Sequence, residues 1–204
     1  MKTTFQAAAL AALILAAAPF AWAGQFRLIT AGQQVTVANS DLEVTPSQDW
    51  NHLGSRVGRN AESWTMDGLS LDDVTFYGGI VNDETLFKER NKKDKPLPKF
   101  SSTMLPPDVV QMFEESYRIA NDTSVFSVDK VEPTKFLGAS GFRFEYAFTS
   151  KDEVERKGVG TAAIVGGKLY MITYEAPVIY YFAKYVDAYG KIADSGVLAP
   201  PAKK

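Results

Sequence analysis

The stretch GFRFEYAFT, residues 141–149, carries the strongest alternation of apolar and polar side chains in this sequence of 204 residues. Successive side chains of a β-strand point to opposite faces of a sheet, so a two-residue period indicates a strand with one buried face. The residues on the apolar face are all aromatic: Phe142, Phe144, Tyr146 and Phe148. We therefore predict a strand here, with these four side chains in the core.

Further strands are predicted on either side of this stretch. Residues 125–131 and 158–165 have strand composition, and Gly166-Gly167 is typical of a tight hairpin turn. The strand that returns from this turn, residues 168–175, is apolar on both faces. A strand without a polar face is typical of the centre of a sheet that is covered on both sides.

Two segments have the spacing of amphipathic helices. The first is expected to begin at Pro106-Pro107 and to end at Asn121-Asp122, since proline suits a first helical turn. The second is expected to begin at Pro177 and to end at Ser195-Gly196. The stripe of the second helix that we expect to be buried consists of Ile179, Phe182, Ala183, Val186, Tyr189 and Ala193.

The N-terminal part of the chain contains predicted short strands joined by turns. Residues 26–29 and 34–38 alternate around Ala31-Gly32-Gln33, which predicts an opening hairpin. Further strand candidates are residues 42–44, 62–65 and 73–77. The order of strands, helix, strands and helix predicts an α+β fold, with a single, largely antiparallel sheet and helices packed on its faces, an α-β-α sandwich.

Three stretches of sequence lie at characteristic places in this order of strands and helices. They are Leu42-Glu43-Val44-x-Pro46-x-x-Asp49-Trp50, the pair Gly166-Gly167, and the run Tyr170-Met171-Ile172-Thr173-x-Glu175-Ala176-Pro177 before an aromatic helix that stops at Ser195-Gly196. In these stretches the chain resembles the PsbP/Mog-like α-β-α sandwich superfamily, over residues 34–198. The resemblance implies that fold and a protein that is not an enzyme. Known members are accessory or binding proteins, such as extrinsic photosystem subunits and Ran-binding factors, and neither of these two roles is expected here.

The first 23 residues have the features of a signal peptide. Lys2 precedes an apolar run, Ala7–Ala18, and Ala21-Trp22-Ala23 matches the small-x-small pattern that signal peptidase recognises. The apolar run is too short for a membrane span, which takes about 20 residues. We predict cleavage between Ala23 and Gly24 and a periplasmic or secreted protein without a membrane span.

The composition excludes several kinds of chemistry. The absence of cysteine excludes disulfides, thiolate nucleophiles and cysteine metal sites. His52 is the only histidine, so any catalytic triad or histidine metal site would have to use it without a second histidine. A net charge of −2 gives no basis for nucleic-acid binding. We predict no cofactor, no metal centre, one domain over residues 24–198 and a disordered tail over residues 199–204.

Two groups of residues are candidates for contact with a partner. Residues 87–99 are rich in lysine and arginine and contain two prolines, which predicts a long surface loop. The binding candidates are Lys92, Lys93 and Lys95 in this loop, and Tyr180, Tyr181 and Tyr185 in the last helix. The alternatives are a loop that is merely solvated and tyrosines that pack in the core.

These features predict an exported, non-catalytic binding or accessory domain of the cell envelope. Its partner would be an envelope protein or a small ligand. The alternative is a periplasmic hydrolase that uses acidic residues in a cleft. The acidic and amide side chains near turns lack EF-hand spacing, and an incidental calcium site among them stays open. They are Asp67, Asp72, Asp73, Asn82 and Asp83.

Overall fold

The computed structural model describes residues 26–200. The predicted signal peptide, its cleavage site after Ala23 and residues 201–204 of the predicted tail lie outside this range. Within residues 26–200, neither helix has the length and apolar character that a membrane crossing requires.

Strands dominate the described chain, with two helices between and after them. The strands are β1 (Phe26–Ile29), β2 (Val35–Thr36), β3 (Leu42–Val44), β4 (Trp50–Leu53), β5 (Ala61–Thr65), β6 (Asp73–Ile80), β7 (Phe126–Phe136), β8 (Ala139–Thr149), β9 (Glu155–Val165), β10 (Lys168–Pro177) and β11 (Val197–Leu198). The helices are α1 (Pro106–Asn121) and α2 (Tyr181–Asp194). The strand predicted from GFRFEYAFT is β8, and α1 has the predicted bounds.

The main sheet is antiparallel throughout, in the order β1-β4-β5-β6-β10-β9-β8-β7. β10 lies between β6 and β9, and its residues from Leu169 to Tyr174 are all buried. This confirms the prediction of a central strand that is covered on both faces. A large antiparallel sheet with two helices is an α+β fold, as predicted.

The prediction of a single sheet is wrong, because β11, β3 and β2 form a second, three-stranded sheet. The predicted opening hairpin is also wrong, since β1 pairs with β4 and β2 pairs with β3. Hydrogen bonds to the segment before β4 direct the chain away from β1. The Gly32 N–H donates to the Pro46 carbonyl over 2.8 Å, and the Ala31 N–H donates to Asp49 Oδ1 over 2.8 Å.

Buried side chains form two clusters that meet at β10. Leu169 and Met171 belong to the cluster that contains α1 and the aromatic residues of β8. Tyr170 and Ile172 belong to the cluster that contains α2. The four aromatic side chains of β8 are at most 5% exposed, which confirms their predicted burial.

Two glycines of β9 make room for the aromatic side chains of β8. Gly158 lies opposite Tyr146, and Gly160 lies opposite Phe144. A β-carbon at either glycine would overlap the aromatic ring on the neighbouring strand. The packing beneath α1 therefore depends on glycine at these two positions as well as on the aromatic residues.

The start of the last helix differs from the prediction. Pro177 does not open α2, because it ends β10, where it pairs with Arg156. The helix begins at Tyr181 instead, and Ile179, which we predict to be buried, is 86% exposed. The buried stripe differs accordingly. It consists of Tyr185, Ala188, Tyr189, Ile192 and Ala193.

Candidate functional site

The three candidate lysines lie on the connection between β6 and α1, which contains no helix or strand. Lys92, Lys93 and Lys95 are all exposed. The connection is attached to the core by the buried side chains of Leu86, Phe87, Leu97 and Phe100. The lysines are therefore presented to solvent by a long surface loop whose two ends are packed against the domain.

Two arginines extend this basic surface. Arg56 and Arg59, in the connection between β4 and β5, line a cleft of about 490 Å³ together with residues of the lysine loop. Ion pairs neutralise part of this surface. Lys95 Nζ lies 3.5 Å from Asp122 Oδ1, Lys92 Nζ lies 3.9 Å from Glu89 Oε2, and Arg59 Nη1 lies 3.5 Å from Glu84 Oε1. The candidates from the sequence do not include the two arginines, since these lie outside the biased stretch and only the fold brings them beside it.

The three candidate tyrosines have different environments. Tyr185 is 8% exposed and packs against Trp50, with 6.2 Å between the ring centres. Tyr181 is half-buried, and Tyr180 is 65% exposed. Tyr185 is thus a core residue, and Tyr180 is the only one of the three that is exposed.

Lys184 is fixed beside these tyrosines. Its Nζ donates to Asp67 Oδ2 over 2.6 Å, and the Tyr185 hydroxyl donates to the same oxygen over 2.9 Å. The lysine hydrogen bond is the largest cause that holds the pKa of Asp67 below its usual range, and it raises the pKa of Lys184. The ammonium lies 5.4 Å from the ring centre of Tyr180, within reach of a cation–π contact.

Tyr180 has a strained backbone. Its φ of 72° and ψ of −55°, with a hydrogen bond of 2.9 Å from the Tyr181 N–H to the Ile179 carbonyl, define a γ-turn of the rare positive-φ form. The two residues before it are also exposed apolar side chains, Val178 at 48% and Ile179 at 86%. Three apolar side chains are thus exposed to solvent at and directly before the residue with the strained backbone conformation.

A second group of functional side chains lies near the end of α1. A cleft of about 230 Å³ has Tyr117, Phe148, Ser150, Lys151, Arg156 and Glu175 among its wall residues. The Glu175 carboxylate accepts hydrogen bonds from the Tyr117 hydroxyl over 2.8 Å and from the Tyr146 hydroxyl over 3.1 Å. Each oxygen has one tyrosine partner, so the carboxylate is held in one orientation.

Asp73 lies directly opposite Glu175 on the neighbouring strand β6. Like charges at opposed positions of neighbouring strands repel each other. Burial, and after it the charge of Glu175, raises the pKa of Asp73 to about 8. Burial also raises the pKa of Glu175. The pair therefore holds a proton near neutral pH.

A carboxylic acid that keeps its proton beside a second carboxyl group could act as a general acid. Here both oxygens of Glu175 already accept tyrosine hydrogen bonds, and Asp73 is not among the wall residues of the cleft.

Over residues 26–200, no three histidine or acidic side chains come together to hold a metal ion. His52 lies beside Glu62, with 3.7 Å between Nε2 and Oε2.

The candidates from the sequence do not include Glu175, and Asp73 is among them only as an acidic residue near a turn. The sequence does contain a feature that could have identified the pair. Glu175 alternates with Met171 and Thr173 on one face of the predicted central strand. An acidic residue on a covered face requires a partner or a proton, since burial of a lone charge is costly.

Comparisons with known proteins agree with this architecture. The solution structure of cyanobacterial PsbP (CyanoP) from Synechocystis sp. PCC 6803 matches with a TM-score of 0.53 and 12% identity, over 90% of this chain and 98% of that one. A crystal structure of a protein from Bacteroides thetaiotaomicron matches with a TM-score of 0.50 and 8% identity, over 86% of this chain. The match spans 51% of that protein.

LpqN of Mycobacterium tuberculosis, which is involved in cell envelope biogenesis, superposes with a TM-score of 0.38 and 9% identity over 89% of this chain and 88% of that one. No protein-family model and no curated protein matches the sequence. The chain has a PsbP-like fold, as the sequence resemblance implies. At this level of identity the likeness concerns the fold and not the function.

Proposed function

We propose that this chain is an exported, non-catalytic binding domain that contacts a protein of the cell envelope through Val178, Ile179 and Tyr180. The observation that carries the proposal is the γ-turn at Tyr180, which keeps three apolar side chains in solvent. A backbone outlier of this kind costs on the order of 1–3 kcal/mol and is common at binding sites. Tyrosine is also enriched among the residues that contribute most to protein interfaces.

Substitution of Tyr180 tests this contact. Tyr180→Ala removes the ring but keeps a side chain at positive φ, whereas Tyr180→Gly removes the ring and relieves the strain. Both variants should lose capture of the partner in cross-linking pull-downs from envelope extracts, quantified by mass spectrometry. The glycine variant should be more stable than the alanine variant by about 1 kcal/mol, measured by urea unfolding, because only glycine adopts positive φ without strain.

Leu105→Ala is the matched control, because Leu105 is also an exposed apolar residue, 66% exposed, but lies at the start of α1. It should leave capture unchanged. Wild-type capture by both Tyr180 variants would exclude this surface.

A second contact on the same domain is the basic loop with Lys92, Lys93 and Lys95, whose residue Lys88 lines a cleft together with Arg56 and Arg59. Replacement of the three lysines by glutamine should weaken capture of an acidic partner without lowering stability, since exposed charges contribute little to folding. Capture by the wild type should also weaken with added salt, because exposed charges are screened over about 8 Å at physiological ionic strength. Capture that is independent of both salt and the lysines would remove this surface from consideration.

Export is part of the proposal. The support for it is the signal-peptide pattern that ends at Ala21-Trp22-Ala23. We expect the intact mass of the protein from a periplasmic or culture fraction to correspond to a chain that begins at Gly24. A membrane-bound species that keeps Met1 would contradict the proposal.

The finer arrangement that we propose is an α-β-α sandwich with the two helices on opposite faces of the main sheet. In its support, Leu169 and Met171 cluster with α1, whereas Tyr170 and Ile172 cluster with α2. Adjacent residues of a strand point to opposite faces. An experimental structure with both helices on one face would refute this arrangement.

Hydrolysis by acidic residues is the second candidate function. The observation in its favour is the Asp73–Glu175 pair, in which burial raises both pKa values. Hydrolysis is the second candidate because only Glu175 of the pair lines the cleft, so a substrate there would meet one carboxyl group and not two. Turnover of ester, phosphate-ester or glycoside substrates that is lost in both Asp73→Asn and Glu175→Gln would reverse this order.

A further inference from the structure

Two oppositely charged side chains line the cleft at the end of α1. Glu175 and Arg156 both line it, and the charge of Arg156 lowers the pKa of Glu175 against the effect of burial. Among residues 26–200, however, Arg156 has its ion pair with Asp152 and none with Glu175. A carboxylate and a guanidinium that line one cleft without an ion pair between them can each bind one end of the same ligand.

Both charged groups are fixed in place before any ligand binds. The Arg156 side chain is 8% exposed, and its Nε donates to Ser150 Oγ over 2.8 Å. A guanidinium has five N–H donors, and the hydrogen bonds to Ser150 and Asp152 use two of them. Glu175 is held by its two tyrosine hydroxyls. Groups ordered in advance lose little entropy when a ligand binds.

The volume and the walls of the cleft restrict the ligand further. About 230 Å³ is less than the 300–1,000 Å³ of pockets that take drug-sized ligands, so the cleft suits a molecule of the size of an amino acid. Tyr117 and Phe148 supply aromatic surface beside Glu175. An aromatic wall beside a carboxylate is favourable for an ammonium group.

We propose that this cleft binds a small zwitterion, an α-amino acid or a betaine, with the carboxylate of the ligand on Arg156 and its ammonium group on Glu175. Lys151, the other cationic residue of the wall, is in an ion pair with Asp122, with 3.4 Å between Nζ and Oδ2. A ligand with a single charge would leave either Arg156 or Glu175 without a partner in the ligand. This site goes beyond the proposed protein contact, because it needs neither Tyr180 nor the basic loop. The two proposals can therefore fail independently.

Titration of the purified protein with L-alanine and glycine betaine, followed by isothermal titration calorimetry and amide NMR shifts, tests the site. At least one of the two should bind saturably, with the shifts confined to the end of α1 and to β8–β10. Propionate and propylamine, which each carry one of the two charges, should bind at least about tenfold more weakly. Equal binding of a singly charged analogue, or no saturable binding of either zwitterion up to about 10 mM, would overturn the proposal.

Substitutions of the two charged residues test whether each of them binds the ligand. Arg156→Gln and Glu175→Gln should each weaken binding by about tenfold or more. Lys157→Gln is the matched control, because Lys157 is the next residue of β9, pairs with Glu145 and does not line the cleft. Circular dichroism checks the fold of each variant. If Arg156→Gln does not fold, the comparison of the zwitterions with propionate and propylamine on the wild-type protein still tests the proposal.

Discussion

Phe144→Ala should lower the free energy of unfolding by about 3–5 kcal/mol, the usual cost of truncating a buried phenylalanine. Phe144 is 1% exposed and lies in the cluster beneath α1. Its ring packs against Phe113, with 5.4 Å between the ring centres, and covers Gly160 on β9. Because Gly160 has no side chain, the neighbouring strand β9 cannot fill the space that the substitution leaves at this position. Urea unfolding monitored by circular dichroism measures the effect.

Val131→Ala is the matched control for this prediction. Val131 pairs with Phe144 across the β7–β8 ladder but is 43% exposed, so its truncation should cost well under 1 kcal/mol. Gly160→Ala gives an independent check, since its methyl group would overlap the Phe144 ring. Such overpacking should cost about 1–3 kcal/mol. Equal stability of Phe144→Ala and the wild type would show that β8 does not bury its aromatic face.

The free energy of unfolding should fall as the pH rises from about 4 to about 8, because of Asp73. Burial raises the pKa of Asp73 to about 8 in the folded protein, whereas an unfolded aspartate titrates near pH 4. Between these values the folded state binds more protons than the unfolded state, so stability decreases with pH by up to about 1.4 kcal/mol per unit. The contribution is fully present below pH 4 and is lost as the pH passes 8.

Asp73→Asn isolates this contribution. The asparagine keeps an oxygen that can accept the hydrogen bond from Thr75 Oγ1, which is 2.9 Å long in the wild type, but it cannot ionise. The variant should become more stable than the wild type as the pH rises from 5 to 8, measured by thermal and urea unfolding. The ionisable groups that affect the pKa of Asp73 directly are Glu175 and Asp72.

Asp122→Asn is the control for the pH series. Asp122 is exposed, its pKa is lowered by the hydrogen bond with Lys151, and its left-handed backbone conformation is one that asparagine tolerates. The stability that Asp122 contributes is therefore present above about pH 4 and is lost only as the pH falls below it, so the profiles of wild type and Asp122→Asn should run parallel between pH 5 and 8. Parallel pH profiles of wild type and Asp73→Asn between pH 5 and 8 would show that Asp73 is ionised throughout that range.

The two halves of the chain differ in how far their sequences predict the structure. From Pro106 onward the predicted elements are present, because each has a long apolar period and a clear turn or stop. The first strands are too short for that, and alternation alone does not select a partner. Hydrogen bonds of Ala31 and Gly32 to the segment that precedes β4 decide the pairing of β1 and β2. The start of α2 depends in the same way on the pairing of Pro177 with Arg156.

The sequence by itself determined the buried aromatic face of β8, the central position of β10, the bounds of α1 and the α+β class. These features follow from periodicity and turn chemistry, which act between residues close in the chain. Only the tertiary structure placed Asp73 opposite Glu175, Arg56 and Arg59 beside the basic loop, and Tyr180 in a strained turn. These arrangements depend on strand register and on contacts between residues far apart in the chain, which local spacing does not specify.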